Sequence, residues 1–102
     1  MLQIEPKHLA IVMSILGQFP YAFYAFGSRA CHRAKRFSDL DLAFFEPIPI
    51  RIQLKLEELF EESDLPYKVD LVDWHKCAPY MQEAIMKQRI RLDPIAYTTT
   101  NI

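Results

Sequence analysis

The chain has 102 residues, of which 51% are hydrophobic and 25% charged, a composition that suits one small folded domain over residues 1–102 and excludes a disordered or fibrous protein. Its formal net charge of −1 excludes a general nucleic-acid coat protein, which needs an excess of Lys and Arg to neutralise phosphates. Such a length leaves no room for a separate substrate-binding domain, so a large substrate surface must come from a partner.

In chain order, Pro6 suits the first turn of a helix, and Leu9, Val12, Met13 and Leu16 give it one apolar stripe, widened by Ile11 and Ile15 and ended by Gly17. After Pro20, the aromatic run Tyr21 to Phe26 stops at Gly27 and reads as a buried strand. A basic loop follows, with Arg29, His32, Arg33, Lys35 and Arg36. From Asp39 to Phe45 carboxylate and leucine alternate at period two before the run turns wholly apolar, which predicts a second strand ended by Pro47 and Pro49. Ile50 to Glu62 returns to helical spacing through an apolar stripe of Ile52, Leu54, Leu56, Leu59 and Phe60, with Glu57, Glu58, Glu61, Glu62 and Asp64 as its solvated side. Tyr67 to Val72 is a third strand, Pro79 to Lys87 a last short helix, and the RIRL that follows a small edge strand. Residues from about 92 to 102 are expected to form a flexible tail. The order αββαβα predicts an α/β (α+β) domain, a three- to four-stranded mixed sheet packed by helices. Cys31 and Cys77 have neither C-x-x-C spacing nor the density of a disulfide scaffold, and no segment approaches the ~18 apolar residues of a membrane span. Both features point to reduced thiols and a cytoplasmic protein.

The chemistry-bearing residues are acidic. Within a strand, side chains at i and i+2 point the same way, so Asp39 and Asp41 stand together with Cα atoms about 7 Å apart. Two such carboxylates repel each other, and a hard divalent cation such as Mg²⁺ or Mn²⁺ is the natural neutraliser. Asp70 sits between Val69 and Leu71 in the third strand; if that strand lies beside the second, it completes a three-carboxylate cluster able to hold two metal ions. Asp73 is expected to cap a helix or loop instead. Gly27 permits close backbone approach to an anion, and Ser28 adds a hydroxyl and an amide at what reads as a helix N-terminus, a geometry that accepts phosphate. Arg29, next to Ser28, is a candidate phosphate contact, and Ser38 either orients the Asp39 carboxylate or starts the strand. Trp74 and Tyr80 are read as packing aromatics with the option of a partner surface.

FGSRA, then SDLDL, then VDLV resembles the minimal nucleotidyltransferase (MNT) proteins of the DNA polymerase β-like superfamily. Their signature is an apolar residue, Gly, Gly or Ser, a spacer, Asp, an apolar residue, Asp or Glu and an apolar residue, plus one later acid on a strand. It falls here on Phe26, Gly27, Ser28, Asp39, Leu40, Asp41, Leu42 and Asp70. The resemblance implies a polymerase-β-like core and two-metal nucleotidyl transfer. Asp39, Asp41 and Asp70 would be the metal ligands and catalytic residues, with two Mg²⁺ (or Mn²⁺) ions. Gly27, Ser28, Arg29 and Ser38 would bind the nucleotide, ATP or another nucleoside triphosphate. It also implies a partner encoded nearby, a small helical HEPN-type or nucleotidyltransferase substrate-binding protein, in a hetero-oligomer resembling a toxin with its antitoxin. The chain would be the antitoxin, moving AMP from ATP to a hydroxyl of the partner. The alternative is a non-catalytic binding module that neutralises or scaffolds such a partner by complex formation. The chain departs from the family loop GSRAxG in carrying His32 where the second glycine stands; if that position needs positive φ, His32 must adopt it.

Overall fold

Two prolines, a glycine-ended aromatic run and a carboxylate–leucine alternation set most of the chain's local structure. A computed structural model describes residues 2–94. It contains α1 (Pro6–Leu16), β1 (Phe23–Phe26), β2 (Leu40–Phe44), α2 (Ile50–Glu61), β3 (Val69–Asp73), a short 3₁₀ turn (Trp74–Lys76), α3 (Pro79–Gln88) and β4 (Ile90–Leu92). The predicted order αββαβα holds, and RIRL supplies the fourth strand. Of the tail expected from about 92, residues 92–94 lie within the described span. Leu92 pairs with Phe23 and is buried, because it closes the sheet's edge over the core; residues 95–102 lie outside the described residues.

The strand order is β3-β2-β1-β4. β1 runs antiparallel to both β2 and β4, whereas β2 and β3 are parallel, a pairing that requires the crossover through α2. Alternation divides the sheet into two faces. Leu40, Leu42 and Phe44 of β2 join Phe23 and Ala25 of β1 and Val69 of β3 in a core closed by α1 (Val12, Leu16) and α2 (Leu56, Phe60). Burying each large apolar side chain there contributes roughly 1.5–3 kcal/mol. Leu54 departs from the predicted apolar stripe of α2 and faces solvent, as does Ile50.

The other face is smaller. Phe26, Ala43 and Ile85 are buried there, with Val72, Trp74 and Met81 packed against them, so α3 covers this side of the sheet. On β2 the residues of this face are Asp41 and Ala43, and on β3 they are Asp70 and Val72. The carboxylates therefore share a face with α3 at one end of the sheet, where β1 ends and β2 and β3 begin.

Candidate active site

The site begins at the end of β1. Gly27 has φ +78°, a conformation glycine adopts without steric cost. The Ala30 and Cys31 amides both donate to the Gly27 carbonyl at 3.1 Å, so the chain makes a helical turn starting at Ser28. Arg33 N–H then reaches back to the Ser28 carbonyl (2.9 Å), and His32 takes φ 56°. A six-residue closure with a left-handed residue before its last donor is the way a helix is stopped. The helix N-terminus expected at Ser28 is thus a single stopped turn, and the glycine position of the family loop does carry positive φ, adopted here by His32.

Beside this turn lies the carboxylate row. Phe26 is in register with Asp41, and Asp41 with Asp70. A Cβ at Gly27 would stand 2.5 Å from Asp41 Oδ2, so only a glycine lets the carboxylate lie against the turn. Asp41 has its pKa pushed up from 3.8 to about 6 by burial, by the Asp70 charge and by the Asp39 charge, in that order. Asp70 Oδ1 is 3.6 Å from Lys68 Nζ. Asp39 is exposed and stands just before the first residue of β2, so the strand starts one residue later than its pattern suggested. The Asp41 carboxylate feels the charges of Asp70 and Asp39, yet among the described residues no three His, Cys, Asp or Glu side chains close into a metal-holding group. The donor set suits a hard cation all the same: it is all carboxylate oxygen, and the raised pKa of Asp41 is an electrostatic deficit that a divalent charge offsets.

Arg29 corrects an expectation. It is 5% exposed, and its guanidinium donates to the carbonyls of Ser38 (Nε 3.0 Å, Nη2 2.8 Å), Gln3 (Nη1 3.0 Å) and Arg36 (Nη2 3.2 Å). Its Cζ lies 3.8 Å from the centre of the Tyr67 ring. Bonded to carbonyls and covered, it is a clamp on the basic loop rather than a contact for phosphate. The clamp fixes the main chain on both sides of the site, since Arg29 follows Ser28 and Ser38 precedes Asp39. The Ser38 hydroxyl accepts from the Lys35 amide (2.8 Å), so it closes the loop, and no bond from it to Asp39 is present among the described residues. Burial raises the Tyr67 pKa although Arg29 opposes the shift, and among the described residues the buried Tyr67 hydroxyl has no partner.

The expected cap is present: Asp73 accepts from the His75 amide at 3.0 Å. Trp74 Nε1 donates to the Gln82 carbonyl (3.1 Å), which makes it a packing residue, whereas Tyr80 is 75% exposed. Cys31 and Cys77 are both free thiols. One residue of the site was missed by sequence reasoning: Gln88 Oε1 accepts the Gly27 amide at 3.0 Å from 61 positions away, and no local pattern marks it.

Known proteins bear directly on this arrangement. The family described as Polymerase beta, Nucleotidyltransferase matches residues 14–93, a span that holds Gly27, Ser28, Asp39, Asp41 and Asp70. A probable protein adenylyltransferase, MntA of Haemophilus influenzae, is 46% identical over 90 residues, covering 84% of this chain and 79% of that relative. A crystal structure of a toxin–antitoxin with AMP-PNP superposes with a TM-score of 0.63 at 23% identity, over 81% of this chain and 70% of that one. A toxin–antitoxin MntA–HepT structure gives 0.57 at 19% identity, over 85% and 70%. These structural likenesses show the fold, and the family match and the sequence relative carry the assignment: the chain belongs to the polymerase beta nucleotidyltransferase family.

Proposed function

We propose that the protein transfers AMP from ATP to a hydroxyl group of a small helical HEPN-type partner, and that it is the antitoxin of that pair. The observation that carries this reading is the apposition of Asp41 Oδ2 to Gly27, with Asp70 in register beside it: a carboxylate pair lies against a positive-φ turn suited to phosphate. The relative named as a probable protein adenylyltransferase and the toxin–antitoxin neighbours support the donor and the partner class.

Asp39, Asp41 and Asp70 would hold the divalent ions, Mg²⁺ being our assignment. When bound, such ions neutralise charge on the phosphates and on the leaving pyrophosphate. Gly27 and Ser28 hold the phosphates: glycine leaves the backbone open to close approach, and the serine hydroxyl donates to a phosphoryl oxygen. The acceptor hydroxyl attacks the α-phosphorus, the bond from that phosphorus to the bridging oxygen breaks, and pyrophosphate leaves. Asp70, at the open edge of the carboxylate row, takes the hydroxyl proton. Positioning and charge stabilisation do most of the work in such a reaction.

The test is incubation with ATP, Mg²⁺ and the product of the neighbouring gene, followed by intact mass measurement of both chains. The expected result is a gain of AMP on the partner that disappears with Asp39→Ala or Asp41→Ala. A stable complex with no mass change would overturn the transfer reading and leave the binding-module alternative.

A further inference from the structure

The Arg29 clamp raises a question about the phosphate turn: the basic side chain beside Ser28 is bonded to carbonyls, so the donors for a triphosphate must come from elsewhere. Gly27 is flanked on both sides. Towards β2 it meets Asp41. Towards β4 the ladder ends at the pair Ala25 and Ile90, and Gln88, two residues before Ile90, closes the gap with its side chain, Oε1 accepting Gly27 N–H at 3.0 Å.

That bond fixes the orientation of the carboxamide. A backbone N–H can only donate, so the oxygen of Gln88 must face it and the amide nitrogen takes the other arm. Nε2 is bonded to the same carbon, so it too lies by the start of the Gly27–Ser28 turn. Among the described residues it has no acceptor, and the only buried side-chain polar atom without a partner is the Tyr67 hydroxyl. Nε2 of Gln88 is therefore not fully buried, and both its hydrogens are available.

We propose that Gln88 is a substrate-binding residue: its oxygen holds the Gly27 amide and thereby turns its NH₂ group toward the triphosphate of the nucleotide, to which it donates. The inference rests on the nucleotidyltransferase reading above and adds to it a phosphate donor supplied by the end of α3.

The two arms can be separated. Gln88→Glu keeps an acceptor for Gly27 N–H and replaces the NH₂ with a second oxygen, whereas Gln88→Leu loses both arms. Binding of AMP-PNP with Mg²⁺ to the full chain is measured by calorimetry. The expected order is wild type tightest, Leu weaker, Glu weakest, with the Glu variant down roughly 10- to 100-fold, the range for a lost charge-assisted bond. A role in holding the turn alone gives the opposite order, with Glu near wild type and Leu worst, and that result overturns the proposal. As a second readout, the side-chain NH₂ signals of Gln88 in the wild-type NMR spectrum, assigned by their loss in Gln88→Leu, shift on adding AMP-PNP with Mg²⁺. Unmoved signals at saturation overturn it without reference to how the variants fold. Wild-type protein that neither binds the nucleotide nor modifies the partner overturns the underlying reading instead, so the two failures are distinct.

Discussion

At the scale of single residues, charge that looks functional in a loop is used internally. Arg29 is buried, among the described residues with no carboxylate at its guanidinium, and is held by three carbonyls and the face of Tyr67. Removing it leaves the carbonyls of Gln3, Arg36 and Ser38 short of a donor, so Arg29→Met is expected to cost about 2–4 kcal/mol. Thermal denaturation checks this. Arg29→Lys recovers little of the loss, because one ammonium cannot match a planar fork spread over three acceptors. A phosphate contact would behave otherwise, with stability unchanged and ATP affinity reduced. His32 makes the complementary case. Its φ of 56° costs a non-glycine residue roughly 1–2 kcal/mol, and glycine's larger entropy loss on folding takes back part of any relief. His32→Gly is therefore expected to gain about 0.5–1 kcal/mol, seen as a higher urea midpoint at unchanged slope.

At the scale of elements, the parallel pairing of β2 with β3 creates the electrostatics of the site. Placing Asp70 level with Asp41 helps burial raise the Asp41 pKa from 3.8 to about 6. Between those values the folded chain holds a proton that the unfolded chain has released. Stability therefore falls as pH rises through that window, and above it the charged Asp41 costs about 1 kcal/mol, a figure reduced because the side chain is partly exposed and screened. Asp41→Asn is expected to be more stable than wild type by about that amount at pH 7.5 and equal to it near pH 3.5, below both pKa values. Urea titrations at the two pH values check the difference. The strands that make this row were legible, since D-x-D alternation and the glycine-ended aromatic run are local patterns. So was the cap on the 3₁₀ turn at Asp73. Arg29 and Gln88 were not legible, because their partners are set by packing: the Gln3 carbonyl is 26 positions from Arg29, and the Gly27 amide 61 from Gln88. A basic residue in a basic run carries no sign of being buried. Leu54 misled for a different reason: it is apolar, but two positions from both Ile52 and Leu56 it lies across the helix from the stripe they make and faces solvent.

At the scale of the molecule, metal binding and folding are linked. A cation held by the carboxylates of the folded chain, and not by the unfolded one, stabilises by mass action. Mg²⁺ at millimolar excess is expected to raise the melting temperature by about 2–5 °C at pH 7.5. The shift shrinks at pH 5, where Asp41 is largely protonated, and in Asp41→Asn; differential scanning calorimetry measures both. An equal shift in wild type and variant would place Mg²⁺ somewhere else. Among the described residues no helix is long and apolar enough to cross a membrane. The sheet order carries one more consequence, this one for synthesis. β1 lies between β2, which the ribosome delivers soon after it, and β4, which comes last of the strands. Until Gln88 has emerged the Gly27 amide has no mate in the nascent chain, and until β4 follows one flank of β1 has none, so the phosphate turn takes its final shape only after the end of α3 is made and not while the signature residues themselves are being made.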